Sequence, residues 1–329
     1  MRRWGLGVLL AVLASGCGNP LLVTRELAHG GQTRAWHLYR PPSAGAGAPL
    51  VVALHGGGGR GAGFDDMTRG QITRAAAKRG WVVVFPEGVE KGWNDGRAPV
   101  SARDRRRVGV DDVGFITALV EAVAAEQGID RGRVYVMGIS NGGFMAQRYA
   151  IEASDRVAAI AAVTAQVAVA WRDRAPSRPV PVLLMNGTKD PLVPDGGGRV
   201  MVFGEARGEV LSTAESVLWW AGHDGCAPAA GGAVGAAAVE TVADGDPEDG
   251  TRTVVERVDG CADGSAVVLY RVGGGGMGGR GKQYLPERVI GRVSGDFDAA
   301  EVIFGWFRAS GGGEGRPRTS SRSGFEVRR

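Results

Sequence analysis

The segment Gly138-Ile139-Ser140-Asn141-Gly142 constrains the fold more than any other part of this chain. An apolar run typical of a strand ends directly before it, and a helical pattern follows it to residue 152. Small residues two positions before and after a serine allow a strained strand-to-helix turn that lifts the hydroxyl clear of a sheet. The pattern predicts a nucleophile elbow at Ser140. A glycine-rich turn that happens to carry a serine is the alternative, since the chain has 56 glycines.

Short apolar runs alternate with helix-period segments along the body of the chain. The predicted strands are 34–40 at a sheet edge, 50–54, 81–85, 133–137, 157–163, 180–185, 251–258 and 266–272. The predicted helices are 65–79, 111–127, 142–152 and 297–307, and residues 227–250 are predicted to form a surface loop. This order predicts an α/β fold with a doubly wound, mostly parallel sheet, whose functional groups gather at the carboxyl ends of its strands.

The positive charge of the chain is concentrated at its two ends. The net charge is +4, but without Arg2, Arg3 and the charged residues after 311 the body of the chain has a net charge of about −1. Nucleic-acid binding by the body is therefore not expected. Residues 310–329 are rich in Gly, Arg and Ser, and they are predicted to form a disordered basic tail that follows a domain spanning residues 34–309.

The N-terminus has the pattern of a targeting segment. Two arginines precede an apolar run that is too short to span a bilayer, and small residues then lead to Cys17. Residues 1–16 are predicted to be a signal peptide, and residues 17–33 a lipidated or flexible segment. Lipidation of Cys17 would make the protein a membrane-anchored lipoprotein. A plain secretory signal, giving an extracellular or periplasmic protein, and an uncleaved apolar segment are the alternatives.

Export affects the interpretation of the two remaining cysteines. Cys226 and Cys261 are expected to form a disulfide, because a pair within one domain in an oxidising compartment is more often bonded than free. Closing the loop between them would stabilise the domain by roughly 3–4 kcal/mol. Two separate buried thiols are the alternative.

Glycines follow the buried strand at 50–54. Gly56 and Gly57 can turn backbone N–H groups towards a negative oxygen, and with the Asn141 N–H they are predicted to form an oxyanion hole. A mobile glycine loop is the alternative. His55 is interpreted as a structural residue of this loop rather than as a base.

A long connection follows the strand at 81–85, and loops of this length in compact domains are often functional. Trp93 is predicted to line a substrate cleft. The arginine-rich stretch 103–107 is interpreted as a solvated surface loop, with a site for an acidic substrate group or a membrane headgroup as alternatives. Asp111 and Asp112 suit the first turn of a helix, as cap and dipole partners.

Asp190 lies just past the end of a buried strand, downstream of Ser140. This is the position of a triad carboxylate in the order Ser, Asp, His, where the acid fixes the tautomer of the base. A turn-forming Asp before proline is the alternative.

These motifs together resemble a known family. Residues 55–59, 110–115, 133–143, 186–194, 219–226 and 283–307 are similar to the bacterial esterases that include polyhydroxybutyrate depolymerases and feruloyl esterases. The resemblance implies an α/β-hydrolase fold, no metal and no organic cofactor. It implies hydrolysis of polyesters or phenolic esters through an acyl-serine, and it also implies the pairing of Cys226 with Cys261.

The catalytic histidine of the family is missing. It lies in a glycine-rich loop after the last strand, and Gly276 occupies its position here. The chain has four histidines, and the last is His223, which sits at a helix end and is a poor substitute. The predicted triad therefore has a serine and an aspartate but no base. Placing histidine at Gly276 is expected to raise the esterase rate by orders of magnitude.

Two hypotheses follow from this pattern. The first is an exported serine esterase with impaired or unusual catalysis. The second is a lipid-anchored pseudo-esterase that retains the cleft for ligand binding. Sugar or peptide hydrolysis is disfavoured, because paired carboxylates and metal-ligand clusters are absent at useful spacing in the sequence.

Overall fold

The computed structural model describes residues 21–98, 102–226, 238–242, 244–276 and 287–311. The predicted signal peptide, Cys17 and the basic tail beyond residue 311 lie outside these ranges. Those three predictions therefore remain predictions.

The described residues contain twelve strands. They are β1 Val23–His29, β2 Gln32–Tyr39, β3 Leu50–Leu54, β4 Val82–Pro86, β5 Val134–Ile139, β6 Ala159–Val163, β7 Val182–Gly187, β8 Gly198–Val202, β9 Glu205–Val210, β10 Ala238–Thr241, β11 Arg252–Val258 and β12 Val267–Gly273. The strands predicted from apolar runs are all present, with shifts of one or two residues at most ends. The β8–β9 hairpin was not predicted from the sequence.

Eight α-helices accompany these strands in the described residues. They are α1 Phe64–Met67, α2 Gln71–Arg79, α3 Ala102–Arg107, α4 Asp112–Gln127, α5 Asn141–Glu152, α6 Thr213–His223, α7 Glu287–Ile290 and α8 Ala299–Ser310. The Asp111 side chain caps α4 by accepting a hydrogen bond from the Gly114 N–H (2.8 Å), as predicted.

Six parallel strands form the centre of the sheet, in the order β4-β3-β5-β6-β7-β12. β2 and β1 extend one edge in antiparallel fashion, and β11 and β10 extend the other. Ile139 pairs with Val163, which pairs with Met185, so the carboxyl ends of β5, β6 and β7 lie side by side. The mostly parallel α/β fold predicted from the sequence is confirmed.

Helices cover both faces of this sheet. One buried layer joins the sheet to α4, α5 and α6. The other layer joins it to α2 and α8. In the second layer Tyr135 stacks between Trp81 (5.2 Å between ring centroids) and Phe307 (4.7 Å). The sheet is therefore doubly wound, as predicted.

The N-terminal region differs from the prediction. Residues 17–33 were predicted to form a lipidated or flexible segment. Residues 23–29 form the strand β1, so flexibility is the wrong prediction for these residues. A two-residue turn at Gly30 (φ 57°) and Gly31 (φ 74°) joins β1 to β2, and this turn type requires positive φ at both positions. As a result β2 lies one strand inside the sheet edge instead of at the edge.

Three further segments differ from the sequence interpretation. The helix predicted at 65–79 is broken at Arg69 (φ 55°) and Gly70 (φ 71°), which separate α1 from α2. The arginine-rich loop forms α3, and Arg107 in it is only 7% exposed, so a solvated loop is wrong for this residue. The surface loop predicted at 227–250 contains β10, which pairs with β11.

Cys226 and Cys261 form a disulfide, as predicted. It ties the segment after α6 to the segment before β12. The buried Asp224 carboxylate lies beside it and accepts hydrogen bonds from the Val180 N–H (3.0 Å) and the Ser265 hydroxyl (2.6 Å). These contacts join α6, β7 and β12 at the amino ends of the two strands.

This arrangement predicts a pH-dependent effect of Asp224→Asn. Burial raises the pKa of the Asp224 carboxyl to about 6, although the Ser265 and Val180 hydrogen bonds oppose the shift. The folded chain thus binds this proton more tightly than the unfolded chain, and the contribution of Asp224 to stability falls as the pH rises from about 4 to about 6. We expect the variant to be more stable than the parent by about 1–2 kcal/mol near pH 8, because an amide carries no buried charge.

Urea unfolding near pH 8 and near pH 4 measures this effect, and the gain should shrink at the lower pH. Asp259→Asn is the matched control, because the Asp259 side chain is 56% exposed and pairs with Arg257 at the surface. An equal gain at both pH values would show that the buried charge is not the cause.

Candidate active site

The turn between β5 and α5 places Ser140 in a strained backbone conformation. Its φ is 53° and its ψ is −120°, values that a residue other than glycine rarely adopts. The Ser140 N–H donates to the Val163 carbonyl (2.8 Å), and the Phe144 N–H donates to the Ser140 carbonyl (2.9 Å). Strain of this kind is typical of functional sites, and the strand-turn-helix arrangement is that of a nucleophile elbow.

Close backbone packing explains the glycines on either side of Ser140. A Cβ on Gly138 would collide with the Gly142 carbonyl, and one on Gly142 would collide with the Leu54 carbonyl and lie 2.6 Å from the His55 carbonyl. The end of β3 is thus pressed against the start of α5. The glycines are required by the fold, so they are more than a coincidence of a glycine-rich chain.

The same packing brings the predicted oxyanion loop to the serine. A Cβ placed on Gly56 would lie 3.8 Å from the Ser140 Cβ, and one on Gly57 would lie 3.6 Å from the Asn141 Cβ. Asn141 is the first residue of α5, where a backbone N–H has no partner within the helix. Gly56 therefore lies beside Ser140 and Gly57 beside Asn141; that these residues form an oxyanion hole stays a prediction.

The Asn141 side chain has a separate role that sequence reasoning missed. Its Oδ1 accepts a hydrogen bond from the Trp93 N–H (2.7 Å), and its Nδ2 donates to the Trp93 carbonyl (3.0 Å) and to the Asp95 carboxylate (2.6 Å). Asn141 as a whole is 6% exposed. It fixes the loop around residues 93–95 against the elbow.

His55 is a structural residue, consistent with the sequence interpretation. Its Nδ1 donates to the Gly56 carbonyl (2.8 Å), and its Nε2 accepts from the Gly88 N–H (3.0 Å). Burial lowers the pKa of this imidazole, so the neutral form with both nitrogens engaged is favoured. Its basic nitrogen is therefore occupied by a backbone N–H.

Trp93 is almost completely buried beside the glycine loop. It is 1% exposed, its indole N–H donates to the His55 carbonyl (2.9 Å), and its ring lies 5.1 Å from the His55 ring. That it lines a substrate cleft stays a prediction. Through these contacts with His55, Trp93 supports the glycine loop that follows β3.

Asp190 follows β7 and keeps one carboxylate oxygen without a partner. Its Oδ1 accepts hydrogen bonds from the Leu192 N–H (2.8 Å) and the Val193 N–H (3.0 Å). Its Oδ2 is buried and has no hydrogen-bond partner in the part of the chain that the structure describes. Burial raises the pKa of Asp190 to about 6, against the effect of the two backbone hydrogen bonds. A triad acid would use such an oxygen to accept the N–H of a histidine.

None of the four histidines, all of which lie in the described residues, hydrogen-bonds to Ser140 or Asp190. His29 contacts Asp111 (2.9 Å). His37 lies between the Thr24 hydroxyl (3.0 Å) and the Glu87 carboxylate (3.0 Å).

His223 lies at the wrong end of the sheet to replace the missing base. It ends α6, and its ring packs 4.2 Å from the Trp219 ring. The adjacent Asp224 binds the Val180 N–H at the amino end of β7, whereas Asp190 follows the carboxyl end. A strand of this length spans about 20 Å, so His223 is not a substitute base.

Gly276 lies beside the aspartate segment, but its Cα has no room for a side chain. Its N–H donates to the Arg292 carbonyl (2.8 Å), and the preceding carbonyl of Gly275 accepts from the Lys189 N–H (2.9 Å). A Cβ on Gly276 would collide with the Ile290 carbonyl and with Gly291. Histidine at this position therefore requires the backbone at 290–291 to move, and the expected simple restoration of activity is revised. Residues 277–286 lie outside the described residues.

Residues 34–219 match the family described as esterase PHB depolymerase. This chain belongs to that family. The match includes both Ser140 and Asp190, and it confirms the resemblance predicted from the sequence.

Curated relatives of the family carry esterase names. NocK of Nocardia uniformis subsp. tsuyamanensis, which is named as an esterase, is 36% identical over 177 residues, covering 53% of this chain and 50% of the relative. Feruloyl esterase B of Piromyces equi is 26% identical over 237 residues, covering 70% and 39%. The chain thus spans about half or less of the length of these relatives.

A solved structure agrees with the fold. The acetyl xylan esterase from Aspergillus awamori superposes with a TM-score of 0.52 at 15% identity, covering 86% of this chain and 99% of that one. At this identity the likeness concerns the fold alone. It supports the α/β-hydrolase architecture of the family.

The described residues were found to contain neither a candidate membrane span nor a candidate metal-ligand group. No helix there combines the length and apolar content needed to cross a bilayer. No three His, Cys, Asp or Glu side chains are grouped there as ligands for a metal ion.

Thr164 is a further site residue that no sequence pattern indicated. It follows β6, between the strands that carry Ser140 and Asp190, and its N–H donates to the Met185 carbonyl (2.8 Å). Its φ is 49°, a rare value for a β-branched residue, and its buried hydroxyl has no hydrogen-bond partner within the described ranges. In the sequence, Thr164 only follows the apolar run of a predicted strand, and this pattern does not indicate a strained backbone.

Proposed function

We propose that this protein is an exported serine esterase of the esterase PHB depolymerase family that forms an acyl-enzyme at Ser140. The observation that carries the proposal is the strained elbow, which sets Ser140 beside the Gly56–Gly57 backbone. The proposed substrates are polyesters or phenolic esters. This class follows from the family description and from the feruloyl esterase name of a relative.

In the proposed reaction, the Ser140 Oγ attacks the ester carbonyl carbon. The carbonyl oxygen becomes an oxyanion that the Asn141 N–H and the loop at Gly56 and Gly57 stabilise. The hydroxyl proton passes to water, because no histidine lies at the serine, and the alcohol leaves after it takes up a proton. Water then hydrolyses the acyl-serine and regenerates the free hydroxyl.

Catalysis by this site is expected to be slow. Sites that lose one member of a triad keep about 10³–10⁴-fold acceleration over water, from the oxyanion hole and substrate binding. Activated esters should therefore turn over measurably, while efficient polyester hydrolysis is not expected. The engagement of all four histidines elsewhere favours a second candidate, a lipid-anchored pseudo-esterase that binds such ligands without turnover.

Export is part of the proposal and is supported by the sequence of residues 1–17. The Cys226–Cys261 disulfide fits an oxidising compartment. A lipid on Cys17 would attach the protein to a membrane.

Labelling with a fluorophosphonate tests the proposed nucleophile. We expect one covalent adduct per chain, located at Ser140 by peptide mass spectrometry, because the elbow exposes the hydroxyl to an oxyanion hole. The same preparation should hydrolyse a 4-nitrophenyl butyrate substrate slowly.

Ser140→Ala should lose both the adduct and the turnover. Ser43→Ala is the matched control, since the Ser43 hydroxyl is exposed and binds only the Ala77 carbonyl (2.9 Å), and it should retain both. A folded parent protein that is neither labelled nor active would favour the binding protein over the esterase.

A further inference from the structure

A small cavity beside the elbow is rich in positive side chains. It is lined by Arg97, Arg107, Arg207, Asp95, Trp93 and Val108, among others. Its volume is about 20 Å³. A cavity of this size holds roughly two atoms of the size of water, which is the size of a carboxylate head. We call it the arginine cavity.

Contacts link the arginine cavity to the first turn of α5, directly after Ser140. Asp95 accepts from Nδ2 of Asn141, the residue after Ser140, at 2.6 Å. The Arg97 guanidinium lies 3.9 Å from the centre of the Phe144 ring, in the first turn of α5. The cavity therefore adjoins the start of α5, the helix that directly follows Ser140.

Arg97 carries an unused donor in this cavity. Its Nε and Nη2 donate to the Asp95 carboxylate at 3.1 and 2.7 Å. Its Nη1 is buried and has no hydrogen-bond partner among the described residues, and the whole side chain is 10% exposed. A buried donor without a partner is unfavourable, and a carboxylate oxygen would satisfy it with a charge-assisted hydrogen bond.

The other two arginines approach from separate parts of the fold. Arg107 is the last residue of α3 and is 7% exposed. Arg207 lies on β9, where it contacts Glu205 (2.7 Å), and the Glu205 side chain is 60% exposed. Three segments therefore bring guanidinium groups to one cavity. Planar guanidinium groups are the preferred partners of carboxylates.

We propose that the arginine cavity binds a carboxylate carried by the ester substrate, so that the enzyme prefers acyl chains that end in a carboxylate. The inference rests on the proposed function, because it assigns the acyl selectivity of the same site. The cavity accepts only the carboxylate head, so the remaining chain lies between the cavity and Ser140.

Two esters of equal chain length test this preference. The 4-nitrophenyl monoester of adipic acid carries a terminal carboxylate, whereas 4-nitrophenyl hexanoate ends in a methyl group. We expect kcat/KM to be at least about tenfold higher for the adipate ester, the value of one hydrogen bond to a charged group. Arg207→Gln should reduce this ratio to near unity, and the ratio in the parent should fall with added salt.

Arg199→Gln is the matched control on the same hairpin. Its side chain is 73% exposed and contacts Glu209 (3.4 Å) away from the arginine cavity, so it should keep the preference. Equal kcat/KM values for the two esters in the parent would overturn the proposal.

A binding measurement separates this inference from the proposed function. Calorimetry with Ser140→Ala should show tighter binding of adipate than of adipamide, and Arg207→Gln in that background should remove the difference. Binding without turnover of either ester would contradict the esterase and support the cavity. Equal binding of adipate and adipamide would contradict the cavity whatever the turnover.

Discussion

Gly142→Ala is expected to destabilise the domain by at least about 3 kcal/mol, and to abolish labelling of Ser140. The new methyl group would collide with the Leu54 carbonyl and lie 2.6 Å from the His55 carbonyl. Neither backbone group can move without separating β3 from α5. Alanine favours a helix over glycine by roughly 1 kcal/mol, so the steric effect must exceed a gain in helix propensity.

Gly222→Ala is the matched control, because Gly222 also lies within a helix and a Cβ there meets nothing within 4 Å. It should be neutral or stabilising by up to about 1 kcal/mol. Urea unfolding followed by circular dichroism measures both variants. A Gly142→Ala protein as stable as the parent would show that the close approach of β3 to α5 is not a feature of the molecule in solution.

Added imidazole is expected to accelerate ester hydrolysis by about 10²-fold, the lower range for a positioned general base. Ser140 and Asp190 follow strands separated by β6, a gap of about 10 Å across two strand spacings. An imidazole with a hydrogen bond on each side spans about 8 Å, and the lengths of the Ser140 and Asp190 side chains make up the remaining gap of about 2 Å. We therefore expect imidazole to accept from Ser140 while it donates to the Asp190 Oδ2, which has no partner among the described residues.

The pH dependence of this acceleration follows from the aspartate. Burial raises the pKa of Asp190 to about 6, so its carboxylate is available for imidazole above that pH and is lost as the pH falls through it. The imidazole must also be neutral to accept the serine proton. The acceleration should therefore be larger near pH 8 than near pH 5.5.

Asp190→Asn should remove most of the acceleration by imidazole. Ser140→Ala should remove all of the acceleration that depends on the enzyme. Gly276→His should gain less than free imidazole gives the parent, because its Cβ would collide with the backbone at 290–291. Initial rates with 4-nitrophenyl butyrate at several imidazole concentrations measure the effect. A linear gain that Asp190→Asn leaves unchanged would mean that imidazole reacts with the ester in solution.

Local patterns were sufficient for the framework of the site. The apolar runs located the strands of the parallel sheet, and the spacing of glycines around Ser140 located the elbow. Asp190 was found because triad acids follow a strand in chain order. These features depend on neighbouring residues, which a sequence displays directly.

Contacts between distant segments were the part that the sequence could not provide. Trp93 is buried because a loop folds under the glycine turn, and Arg107 is buried because α3 closes onto that loop. The lack of room at Gly276 depends on a segment fifteen residues away along the chain. The β1–β2 hairpin is different, since its two consecutive glycines were a local signal that composition obscured.

The position of α8 has a consequence for the order of folding. This last described helix closes the second face of the sheet, where Phe307 stacks on Tyr135 and the Trp306 indole N–H donates to the Ile160 carbonyl (3.3 Å). Glu301 also pairs with Lys78 and Arg79 on α2. A growing chain therefore leaves this face of the sheet open until its residues near 310 have left the ribosome. This half of the core is therefore completed only once α8 has emerged, late in the folding of the domain.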